Sequence, residues 1–129
     1  MVTGASSGIG EATARTLAAL GFHVVVVARR KDRINALADE IGGTAVVADV
    51  TDDGAVIALA NGLSRVDVLV NNAGGARGLE FVADADLEHW RWMWETNVMG
   101  TLRVTRALLP KLIDSGDGAN GVVCDQRAA

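Results

Sequence analysis

Residues 3–10 read T-G-A-S-S-G-I-G, with Gly4, Gly8 and Gly10 closely spaced behind Thr3. Glycine permits a sharp backbone turn and lets main-chain atoms come close to a ligand. Met1–Thr3 before this run reads as a strand stub, and Ile9–Leu20 after it as a helix. The first amide groups of that helix would face the turn, where they suit the charge of a pyrophosphate. A glycine turn can serve chain reversal alone, but its place between strand and helix favours nucleotide binding. Arg29, Arg30, Lys31 and Arg33 form a local basic cluster after the apolar run Val24–Ala28. His23 and His89 have no metal-type partners nearby and read as structural or solvent-facing, while Cys124 has no adjacent base and reads as a small strand residue.

The elements that would position these residues alternate between strand length and helix length. His23–Ala28, with four consecutive valines, reads as a strand buried on both faces, as in a parallel sheet. Lys31–Ile41 follows as a helix stopped by Gly42-Gly43, then Thr44–Ala48 as a third strand. Asp52 is the expected N-cap of a helix running to about Ser64, and Val66–Val70 a fourth strand. A long helix is expected from about Asp86 to Ser115, with Pro110 in its last turns, and Gly121–Cys124 begins a fifth strand. On the first helix Ile9, Ala12, Thr13, Thr16, Leu17 and Leu20 are expected to share one face. Trp90 and Trp94 share a face of the long helix, with core packing expected for one or two of the three tryptophans. The order predicts an α/β fold: a Rossmann-type doubly wound parallel sheet in three αβα layers. Residues 1–129 are read as one incomplete dinucleotide-binding domain.

The spacing T-G-x-x-x-G-x-G resembles the cofactor motif of classical short-chain dehydrogenases/reductases. Three further marks come in the family's order: D-V at 49–50, N-N-A-G at 71–74 and Asn97 within E-T-N-V-M-G. The resemblance covers residues 1 to about 123. It implies that Thr3, Gly4, Ser6, Gly8, Ile9 and Gly10 form the pyrophosphate turn. It further implies that Asp49 and Val50 hold adenine, and that Asn72, Ala73 and Gly74 line the ribose. Asn97 would belong to the catalytic set, distorting its helix so that a freed carbonyl holds a water. The same helix commonly takes part in dimer packing in the family, so a homo-oligomer is expected. Gly75–Glu80 is expected at the rim of a substrate pocket.

Cofactor choice follows from the end of the second strand. An acid there would bind the adenosine ribose hydroxyls of NAD, whereas an arginine accommodates a 2′-phosphate. Ala28 ends the strand and Arg29-Arg30 follow, which favours NADP(H) over NAD(H). The family's proton donor is a tyrosine with a lysine four residues on, and this chain contains no tyrosine. The chain is therefore expected to be truncated before the later strands and not to act as a reductase alone. Its tail, C-D-Q-R-A-A, stands where a serine strand is expected. A one-base shift of those codons can read Val-Thr-Ser or Val-Ile-Ser, so a frameshift is the expected origin. A non-catalytic dinucleotide-binding or interaction module is the alternative. Net charge is −4, which argues against nucleic acid and anionic membranes. A single cysteine and the lack of a long apolar stretch suggest a reducing, cytoplasmic setting without a membrane span.

Overall fold

A computed structural model describes residues 1–78 and 80–122. Its elements run β1 (Val2–Thr3), α1 (Gly8–Ala19), β2 (Val25–Ala28), α2 (Lys31–Ile41), β3 (Thr44–Val47), α3 (Asp53–Asn61) and β4 (Val68–Asn71). A short 3₁₀ turn at Val82–Asp84 leads into α4 (Leu87–Met93). A π-helical stretch at Trp94–Met99 joins α4 to α5 (Gly100–Asp114), and β5 (Ala119–Val122) follows. The strands form one parallel sheet in the order β3-β2-β1-β4-β5, so β1, only two residues long, lies at its centre.

Side chains alternate across the pleat. Val26 and Ala28 join Val2, Ala14, Ile34 and Leu37 in a core under α1 and α2. Val27 points the other way, into a core with Leu69 of β4, Val56 and Leu59 of α3, and Val104, Leu108 and Leu112 of α5. Two cores on opposite faces of the sheet make the three αβα layers. Asp52 caps α3, its carboxylate accepting from the Ala55 amide at 2.9 Å.

Three expectations are corrected. No tryptophan packs in either core: Trp90 and Trp94 are exposed and Trp92 is half-buried. The buried face of α1 is Gly10 and Ala14, with Leu17 and Ala18 partly buried, whereas Ile9 and Leu20 are exposed. Small residues set that face because the glycine turn delivers α1 close against the sheet. The long helix is not uniformly α: it widens at Trp94–Met99, then continues across Pro110 to Asp114. The expected fifth strand is met by β5 two residues early; Cys124 and the tail lie outside the described residues.

Candidate functional site

The carboxyl ends of β1 to β4 open onto a cleft of about 560 Å³. Its lining follows the sheet order, from Ala48, Asp49 and Val50 past β3, through Ala28, Arg29 and Arg30 past β2, to Gly4, Ser6, Gly8 and Ile9 after β1. Asn72, Ala73, Gly74, Gly75, Trp92 and Asn97 line the far side. This is the crevice beyond the strand ends where open α/β sheets bind ligands.

Thr3 builds the wall behind the turn. Its buried hydroxyl accepts from the amides of both Asn72 and Ala73, each at 3.0 Å. The Asn72 side chain in turn donates to the carbonyls of Thr3 (3.1 Å) and Gly4 (3.2 Å). The glycine turn is thereby bolted to the end of β4. A Cβ on Gly4 would sit 2.8 Å from the Ala73 backbone, and one on Gly10 would sit 2.3 Å from the Asn72 amide nitrogen. Gly8 differs: its φ is +60° and a Cβ there would meet open space. Ser7 occupies the N-cap of α1 without a side-chain capping bond. The first amides of α1 therefore face the cleft without a side-chain partner.

At the β2 and β3 end Arg29 is exposed, its guanidinium 3.6 Å from the Asp49 carboxylate. Asp49 also accepts from the Thr51 amide (2.9 Å) and hydroxyl (2.8 Å). Burial alone would raise the Asp49 carboxyl, but the Thr51 bonds and the Arg29 charge outweigh it and hold it below its ordinary value. At the other end Asn97 lies inside the π-helical stretch. Its side chain clasps the loop after β4, accepting from the Gly75 amide and donating to the Gly75 carbonyl, both at 2.9 Å. The Asn97 carbonyl accepts from the Thr101 hydroxyl at 2.9 Å.

The cleft thus collects twelve predicted residues, while Thr3 and Gly10 stand behind it as packing. Asn71, which opens the N-N-A-G run, is buried, and its side chain donates to Thr105 and Asn120 and ties β4 to α5 and β5. Thr96 is a cleft residue that the sequence reading misses. It is 8% exposed, and its hydroxyl has no hydrogen-bond partner among the described residues.

The residues present fit a dinucleotide. Gly8 leaves room where a phosphate would approach, α1 offers free amides, and the unpartnered Thr96 hydroxyl awaits a polar group. None of the described helices is long and apolar enough to cross a membrane.

Comparison with known proteins agrees with this geometry. The family model for short chain dehydrogenase matches residues 1–124. An uncharacterized oxidoreductase of Mycobacterium tuberculosis is 86% identical over 118 residues, 92% of this chain and 47% of that protein. Sulfoacetaldehyde reductase of Chromohalobacter salexigens is 44% identical over 126 residues, 92% of this chain and 50% of that one. The closed form of serine dehydrogenase complexed with NADP+ superposes with a TM-score of 0.91 at 34% identity, over 97% of this chain and 53% of that one. The chain spans about half the length of the curated relatives it matches. From the glycine turn at its start to the asparagine-bearing helix, the chain belongs to the short chain dehydrogenase family.

Proposed function

We propose that this chain is the cofactor-binding half of an NADP(H)-dependent oxidoreductase acting on a small carbonyl or alcohol. The observation that carries this reading is Arg29 at the cleft's β2 end, directly after Ala28 and with no acid in the ribose position. Arg29 and Arg30 would bind the 2′-phosphate, and Asp49 and Val50 the adenine. Thr3, Gly4, Ser6, Gly8, Ile9 and Gly10 would form and support the pyrophosphate turn. Asn72, Ala73 and Gly74 would line the ribose, and Thr96 would hydrogen bond to the bound molecule. When bound, the cofactor supplies or accepts the hydride. Asn97 holds the loop at Gly75 against the cleft, and its carbonyl would hold a proton-carrying water.

The relatives named above support a small substrate; sulfoacetaldehyde and serine each carry an anionic group. The exposed apolar face Leu87, Trp90 and Trp94 is read as a contact between copies of the protein. A single cysteine fits a reducing, cytoplasmic setting. The absence of tyrosine from these 129 residues favours a second reading, a dinucleotide-binding module without turnover.

Titration with NADPH and NADH tests the proposal. Tight NADPH binding, weakened about tenfold or more by Arg29→Ala while NADH affinity holds, supports it. Equal affinity for the two cofactors overturns the preference. Absence of binding overturns the site, and turnover over a carbonyl panel excludes the second reading.

A further inference from the structure

The loop after β4 carries a group that the cofactor reading leaves unused. Arg77 is exposed, and its guanidinium lies over the Trp92 ring, 4.0 Å from the centroid. Trp92 lines the cleft and packs against Gly75, the residue clasped by Asn97. Arg77, outside the cleft's lining itself, is thereby held on Trp92, beside the wall that Gly75 and Ala76 form with it. Among the described residues no carboxylate pairs with it. Glu80, three residues on, turns instead to the Asp86 amide (3.2 Å) and His89 Nδ1 (3.4 Å). A stacked guanidinium keeps its N–H edge free in a set orientation, which suits bidentate binding of an oxyanion. The indole beneath limits its motion and lowers the entropy lost on binding.

We propose that Arg77, seated on Trp92, recognises the anionic end of the substrate, selecting small hydroxy or oxo acids with a carboxylate or sulfonate. This rests on the cofactor reading above: with the adenosine end at Arg29 and the ribose at Asn72–Gly74, the reacting end of the dinucleotide would reach toward Asn97. Substrate would lie between Asn97 and Arg77, its carbonyl or hydroxyl toward the cofactor and its charge toward the loop.

The test uses the chain loaded with NADP+, in a Trp90→Phe/Trp94→Phe background that leaves Trp92 as the fluorescent reporter. It is titrated with 3-hydroxypropanoate, with 2-hydroxyethanesulfonate and with uncharged 1,3-propanediol. The expected result is a saturable change with an anion and little with the diol. Arg77→Ala should weaken anion binding about tenfold or more, and Arg77→Lys less, with NADP+ affinity unchanged in both. A response to only one of the two anions supports the proposal and names the headgroup. Equal binding of the diol, or an Arg77→Ala variant that binds both anions like the parent, overturns it while leaving the cofactor reading intact. Failure to bind NADP+ overturns that reading and this proposal together.

Discussion

Gly8 and Gly10 both lack side chains, for opposite reasons. A methyl on Gly10 would strike the Asn72 amide and the Gly4 carbonyl, whereas one on Gly8 would enter open cleft at a positive φ. Gly10→Ala is therefore expected to destabilise the fold by about 1–3 kcal/mol through overpacking, seen as a lower melting temperature. Gly8→Ala should cost about 1–2 kcal/mol from the left-handed backbone and reduce NADPH affinity more than Gly10→Ala does. Calorimetry and cofactor titration on the pair separate the two effects. Asp49 gives a pH-dependent counterpart. Its carboxyl is held low in the folded state, so its stabilisation is present above the ordinary carboxylate range and fades as pH falls through the lowered value. Asp49→Asn should flatten that acid-side loss of stability, and a melting series from neutral to acid pH checks it.

The elements show which features were legible beforehand. Valines at 24–27 announced a doubly buried strand, Asp52 announced a cap, and four motifs in order announced the family. The face of α1 was misread because periodicity weighs large residues, while the packing uses Gly10 and Ala14. Thr96 was missed because an unpaired hydroxyl becomes informative only when its burial is known. Thr3 was read as a ligand-turn residue, and its larger part is structural: one hydroxyl serves two amides of the next strand's end. Thr3→Val keeps the shape but orphans both amides. It should cost about 1–3 kcal/mol and loosen the turn from β4, measurable as faster amide exchange at Asn72 and Ala73.

Across the whole molecule, charge and apolar surface are unevenly spread. Arg29 and Arg30 line the cleft past β2, and Trp92, with Arg77 stacked on it, lines the side beyond β4. Leu87, Trp90 and Trp94 present an exposed apolar face on α4 and the first residue of the π-helical stretch. Sedimentation should show concentration-dependent association that Trp94→Glu reduces, with the melting temperature little changed because Trp94 is not in a core. The π-helical stretch at Trp94–Met99 governs how these surfaces relate. A π turn takes up an extra residue, so side chains beyond Gly100 are rotated by roughly 100° against an uninterrupted α-helix. The long helix is thus two shafts set out of phase: the first turns Trp92 to the cleft, and the second turns Val104, Leu108 and Leu112 to the core. Rewinding Trp94–Met99 as α-helix with no residue removed would swing one shaft off its surface, whereas deleting one residue there would leave both facing as they do, so the π turn is what lets this sequence serve cleft and core at once.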